Sequence, residues 1–179
     1  MKSKLGPITG SWLLTPKAHA DSRGQFVESF QKGVFAEQTG LSIDFIQDNE
    51  VVSNQGVVRG LHLQKEPYGQ AKLIRVVQGC IYDVAVDLRA DSPSYGEWFG
   101  VELSAENQTQ LFLPKGFAHG YSVMSERAIV QYKVDAPYNP QAESGIRYND
   151  PLLGINWQVD NPILSDKDLK LHFLKDLNS

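Results

Sequence analysis

Apolar and polar positions alternate through the middle of this chain. In "KLIRVVQGCIYDVAVDLR" two such runs meet at Gln78-Gly79, which reads as a tight turn. In the second run Tyr82, Val84, Val86 and Leu88 share one face, while Asp83, Ala85, Asp87 and Arg89 share the other. That period of two predicts a strand whose polar face meets either solvent or the wall of a wet cavity. Further strands are predicted over 43–47, 50–54, 57–64, 98–103, 109–113, 119–124 and 127–134. Two segments have helical character: "KGVFAEQTG", stopped by Gly40, and "SDKDLKLHFLKDLN" (165–178), opening at Ser165. Strands do not alternate with helices, so the pattern predicts an antiparallel sandwich or barrel, with a jelly roll as first choice.

Composition changes this picture little. The 179 residues are 41% hydrophobic and 21% charged, with no linker or low-complexity tract, which predicts one domain over 1–179. The net charge of −4 argues against nucleic acid as a partner, because a phosphate-tracking surface carries a basic excess. An anionic ligand would need its positive charge concentrated locally. The single cysteine, Cys80, excludes an internal disulfide framework and reads as a small buried apolar residue in a reducing compartment. No apolar run reaches the roughly 18 residues needed to cross a bilayer. Gly6, Pro7, Thr9 and Gly10 interrupt any signal-peptide core near the amino terminus. A cytoplasmic protein without a membrane partner is expected.

The stretch "VVRGLHLQKEP" (57–67) poses the chemical question, because it places Arg59 and His62 three residues apart in a strand. It could be ordinary strand with incidental polar residues, or it could bring a guanidinium and an imidazole into one cavity. Opposite strand parity then requires a bulge or bend near Gly60. Histidines in a jelly roll raise the cupin metal site, whose pattern pairs two histidines one residue apart with a later Pro-Gly-His segment. The later segment is present as "LPKGFAHG", with Pro114, Gly116 and His119, but Gln64 stands two residues after His62. A carboxamide is a poor transition-metal ligand beside imidazole, so a cupin-type barrel without a metal is expected.

The ordered segments "DSRGQFVESF" (21–30), "FIQDNEVVS" (45–53), "VVRGLHLQ" (57–64), "GQAKLIRVVQGCIYDVAVDLR" (69–89), "LFLPKGFAHGYSV" (111–123), "QYKVDAPYNPQAESGIRYNDPLLGINW" (131–157) and "LSDKD" (164–168) resemble the dTDP-4-dehydrorhamnose 3,5-epimerase family over nearly the whole chain. The resemblance implies a mainly β, cupin-type double-stranded β-helix with short peripheral helices and a carboxy-terminal helix. It implies proton abstraction and return at the carbons flanking the C4 ketone of a dTDP-4-keto-6-deoxyhexose, with no cofactor. By the same resemblance His62 is the general base, Asp168 its carboxylate partner, Lys72 the enolate stabiliser and Tyr132 the acid on the opposite face. Each has a bland alternative: a core histidine, a capping box Ser165-x-x-Asp168, a surface lysine and a core tyrosine. Arg23 and Arg59 are the implied diphosphate ligands. Glu28, Gln47 and Asn49 would place sugar or base, Tyr138 would stack on thymine, and His119 and Glu143 would touch the ligand. Arg23 and Phe26 would reach a neighbouring subunit's site, which implies a homodimer. His19 and His172 read as surface residues. The rival readings are an enzyme inverting C3 or C5 alone, a non-catalytic sugar-nucleotide-binding cupin, and a metallo-cupin.

Overall fold

The computed structural model describes residues 1–177. Thirteen strands are present among them: β1 Lys2–Leu5, β2 Trp12–Thr15, β3 Ala18–Asp21, β4 Gly24–Val27, β5 Gln47–Asn54, β6 Val58–Gln64, β7 Lys72–Gln78, β8 Cys80–Asp87, β9 Trp98–Ser104, β10 Gln110–Leu113, β11 Phe117–Val123, β12 Arg127–Val134 and β13 Glu143–Gly145. Six of them form one sheet in the order β1-β2-β10-β7-β12-β5, five form a second in the order β13-β6-β11-β8-β9, and β3 pairs only with β4. Every strand pairing within these sheets is antiparallel. The two larger sheets face each other as a jelly roll.

Between the sheets lies a core in which Ile74 and Val76 of β7 and Val130 of β12 meet Ile81, Ala85, Leu103 and Val123 of the second sheet. The opposite face of β8 is also covered. Val84 and Val86 pack under Ile146, Leu153 and Trp157 of the carboxy-terminal segment. Both faces of β8 are therefore buried, and its polar face, with Asp83 and Asp87 fully enclosed, looks into the barrel rather than to solvent. The helix α1, Lys32–Thr39, ends at Gly40 where the sequence predicts it. It covers the outer face of the first sheet through Phe35, which stands edge-on to Phe45 and Phe112.

Several expectations are corrected. The Gln78-Gly79 turn exists, but β7 and β8 do not pair across it; they belong to opposite sheets. A period-2 pattern looks the same whether the chain turns back beside itself or crosses to the facing layer. Residues 43–46 are not strand, because Ile43 and Phe45 spend their side chains on the α1 cluster. No long helix follows Ser165. The segment carries two single-turn 3-10 helices, Asp168–Lys170 and Leu174–Asp176, and its final predicted position, 178, lies outside the described residues. Its apolar side chains Leu174 and Leu177 lie on the second sheet, and that packing overrides helical propensity. The short strands β1, β2, β3, β4 and β13 escaped prediction; in β3 all four residues are exposed, so no alternation marks it.

The bend demanded by Arg59 and His62 is present. Tyr121 pairs with Arg59 and His119 pairs with His62, so two residues on β6, Gly60 and Leu61, stand against one on β11, Gly120, and the register slips there. Gly60 sits at the slip with φ near +122°, a conformation that side chains disfavour. A Cβ there would lie 2.5 Å from the Cα of Gly120, and a Cβ on Gly120 would lie 2.6 Å from the carbonyl oxygen of Arg59. Gly60→Ala should therefore cost about 1–3 kcal/mol of stability, the usual range for forced overpacking. Thermal melting checks this, and a midpoint within a degree of wild type would show that the crossing tolerates a side chain.

Candidate active site

The bend aims one strand at one cavity. The cavity is about 420 Å³ and opens between the sheets, lined by Arg59, His62 and Gln64 of β6, Gln47 and Asn49 of β5, and Lys72 at the start of β7. His119 and Tyr121 of β11, Tyr132 of β12, Glu143 of β13 and the loop residue Tyr138 complete the wall. Ten of the thirteen residues singled out from the sequence thus fall at one place: nine line the cavity directly, and Asp168 joins them through His62. Arg23, Phe26 and Glu28 do not. They lie on or just after the β3–β4 ribbon, where Arg23 is paired with Asp21 at 2.5 Å and Phe26 is 68% exposed.

His62 Nε2 and Asp168 Oδ1 are 2.6 Å apart, and Asp168 is buried. Burial raises the carboxyl's pKa, but contacts from His62, the Gly60 N–H and Ser165 outweigh it and hold Asp168 below the usual carboxylate range. An ionised carboxylate only accepts, so His62 Nε2 donates the bond, which leaves Nδ1 as the nitrogen available for proton transfer. The carboxylate pairs with His62 and caps no helix, because the helix expected after Ser165 is absent and the short turn Asp168–Lys170 carries no side-chain cap. The Asp168 N–H donates to Ser165 Oγ at 3.1 Å while the carboxylate holds the histidine.

Lys72 is not a surface lysine. Its side chain is buried, and Nζ donates to the carbonyl of His62 at 3.4 Å. Burial pulls its pKa down from 10.5 to about 8, against the opposing charges of Asp83 and Glu143. Tyr132 is half-buried, and burial pushes its phenol above the ordinary value, with Arg59 opposing. Arg59 Nε donates to Ser53 Oγ at 3.0 Å. At the rim Glu143 accepts from the Tyr138 hydroxyl and from Lys167 Nζ, each at 2.5 Å.

Asp83 was missed by residue-level reasoning, although its place on the polar face of β8 was its signal. It is fully buried, and its Oδ1 shares a hydrogen bond with His119 Nε2 at 2.8 Å. Burial raises its carboxyl, with His119 and Lys72 pulling the other way. Tyr121, two residues beyond His119, was missed as well. Gln64, at the second-histidine position of the cupin metal pattern, is committed elsewhere: its carboxamide bonds the backbone of Pro137 and Asn139. Among the described residues no three His, Cys, Asp or Glu side chains gather as a metal-holding group.

An antiparallel jelly roll whose cavity holds a histidine–carboxylate pair, a buried amine and a half-buried phenol is a cupin-type barrel equipped for proton transfer. Residues 6–176 match the sequence model of dTDP-4-dehydrorhamnose 3,5-epimerase, and the chain belongs to that family. The dTDP-4-dehydrorhamnose 3,5-epimerase of Shigella flexneri is 50% identical over 157 residues, 88% of this chain and 87% of the relative. The crystal structure of the Elizabethkingia anophelis dTDP-4-dehydrorhamnose 3,5-epimerase superposes with a TM-score of 0.94 at 44% identity, covering 100% of this chain and 99% of that one. A Legionella pneumophila dTDP-6-deoxy-D-glucose-3,5-epimerase, solved in complex with dTDP-4-keto-L-rhamnose, gives 0.94 at 42% identity and covers 98% of this chain and 94% of its own.

Because its pKa falls to about 8 in the fold, Lys72 should titrate there rather than at the ordinary 10.5. Between those two values the unfolded chain holds a proton that the folded chain has released, so this group's contribution to stability rises with pH across that window. Asp83→Asn removes a charge that holds the ammonium up, and should lower the titration further. NMR of 15Nζ-labelled lysine reads both; a Lys72 signal titrating with the surface lysines would contradict the burial argument.

Proposed function

We propose that the protein inverts C3 and C5 of dTDP-4-dehydro-6-deoxy-D-glucose, giving dTDP-4-dehydro-L-rhamnose for dTDP-L-rhamnose formation. The observation that carries the reading is the His62–Asp168 pair at 2.6 Å in the cavity that also holds Lys72 and Tyr132. Carbons on either side of a ketone are acidic because the anion left behind delocalises onto the ketone oxygen. His62, neutral and oriented by Asp168, takes the proton. Its imidazolium is then stabilised by the same carboxylate. Lys72 directs its ammonium at the C4 oxygen, where charge develops, and its own burial weakens the screening of that attraction. Tyr132, kept protonated by burial, returns a proton on the other face. The reaction needs no net oxidation, and these four side chains suffice for it without a metal.

Arg59 meets the diphosphate, Gln47, Asn49, His119 and Glu143 meet sugar and base, and the exposed ring of Tyr138 stacks on thymine. The Legionella relative was solved with dTDP-4-keto-L-rhamnose, which supports a dTDP-sugar as the ligand class. The ribbon residues Arg23 and Phe26, with Glu28, serve the site of a second copy, so the working unit is a homodimer. Their exposure supports this reading, since a large aromatic left open to solvent on a two-stranded ribbon gains by being covered. We place the enzyme in the cytoplasm; among the described residues no helix is long and apolar enough to cross a membrane.

Incubation with dTDP-4-keto-6-deoxyglucose in heavy water should deposit deuterium at C3 and C5 with inversion, in the presence of EDTA. His62→Asn should abolish both exchange and inversion, since no enolate forms. Tyr132→Phe should slow inversion about 10²–10⁴-fold while deuterium still enters with retained configuration. Deuterium at one carbon only would reduce the reaction to a single inversion. Equal loss of exchange and inversion in Tyr132→Phe would move that residue to the enolisation step.

The shared site has its own test. Mixing inactive His62→Asn and Arg23→Ala subunits under exchange conditions should regain about a quarter of wild-type activity, because half the dimers are mixed and each carries one intact site. No recovery, with subunit exchange verified by mass, would return Arg23 to its own chain.

A further inference from the structure

Gln64 follows His62 by two residues and lies on the same side of β6, buried against the cavity wall. Its carboxamide is engaged at both ends. Oε1 accepts the N–H of Asn139 at 2.9 Å, and Nε2 donates to the carbonyl of Pro137 at 3.3 Å. Those two backbone groups flank Tyr138, whose ring is 52% exposed at the cavity mouth. The loop is held from a second side as well: Gln70 Nε2 donates to the Ala136 carbonyl at 2.8 Å, and Asp135 Oδ1 accepts the Ala71 N–H at 2.7 Å. Gln70 and Asp135 secure the start of the loop to the residues just before β7, whereas Gln64 secures the stretch around Tyr138 on the strand that carries His62.

A neutral amide suits this position chemically. It offers a donor and an acceptor together, which matches one carbonyl and one N–H. A carboxylate would face the Pro137 carbonyl with like polarity, and a hydrocarbon would leave two backbone groups unpaired at a buried site. We propose that Gln64 is a positioning residue for substrate binding: it clamps the main chain on both sides of Tyr138 and so fixes that ring relative to the His62 strand. The inference rests on the reading above that a thymidine nucleotide stacks on Tyr138. It adds the group that sets the ring's place, at the position where a metal cupin would have a ligand.

Calorimetric titration of dTDP onto the full chain, with steady-state kinetics beside it, tests the proposal. Gln64→Leu should raise the dTDP Kd and the KM about tenfold, which is about 1.4 kcal/mol. Its kcat should stay within about threefold of wild type, since the clamp acts on binding and not on the proton steps. In a Tyr138→Ala background the same substitution should change the Kd less than about twofold, because a residue acting through Tyr138 has nothing left to position. Gln64→Glu should bind weakly near pH 8 and recover toward wild type near about pH 5, as the protonated carboxyl again offers both donor and acceptor. A kcat loss with unchanged Kd, an additive effect in the Tyr138→Ala background, or an unaltered Kd in Gln64→Leu would each overturn the proposal. If Gln64→Leu shows no cooperative melt, the pH dependence of the Gln64→Glu Kd decides alone, and a pH-independent value overturns it. Failure of the wild-type chain to bind dTDP would instead strike the functional reading on which this one rests.

Discussion

The crossing of β6 and β11 at Gly60 and Gly120 is the constraint on which the site depends. Strand residues three apart point to opposite faces, so Arg59 and His62 can serve one cavity only where the pairing slips by a residue. The slip brings two backbones so close that a Cβ on either glycine would collide with the other strand. The same bend turns the Gly60 N–H toward Asp168. The carboxylate that orients His62 is thereby anchored to the strand that carries His62, although 106 positions separate the two residues in the chain.

Around that bend the barrel gives three carboxylates a partner, two of them buried against histidines and one at the rim. Asp168 meets His62, Asp83 meets His119, and Glu143 meets Lys167. Pairing is what makes such burial tolerable, since an uncompensated charge in a hydrocarbon core costs several kcal/mol. Lys72 has the least direct compensation of these groups: burial lowers its pKa, and the pull of Asp83 and Glu143 only partly restores it. An ammonium under that penalty gains when negative charge appears beside it. In the proposed reaction the developing enolate is such a charge.

The outer elements divide the work differently. The carboxy-terminal segment wraps the second sheet, burying Leu153 and Trp157 and delivering Asp168 to the cavity, so packing and chemistry share one stretch of chain. The β3–β4 ribbon packs on neither large sheet by strand pairing and leaves its residues exposed. One segment adds a residue to the cavity's histidine, and the other lies outside the cavity.

The sequence by itself determined the antiparallel class, because period-2 patterns without intervening helices have few other solutions, and eight of the thirteen strands were legible in that way. It also determined the need for a bend at Gly60, since parity is a property of sequence spacing alone. The ordered family segments carried the candidate residues, down to the pairing of "GLH" with "LSDKD". What it could not determine were the relations across layers. Alternation does not say whether Gln78-Gly79 folds back or crosses to the facing sheet, and helical propensity in 165–178 does not see the apolar surface that draws those residues into extended wrapping. Nor does spacing distinguish an aspartate facing solvent from Asp83, sealed beneath His119. Those outcomes depend on which surface each side chain meets, and contacts between residues far apart in the chain exist only once the two sheets have closed on each other.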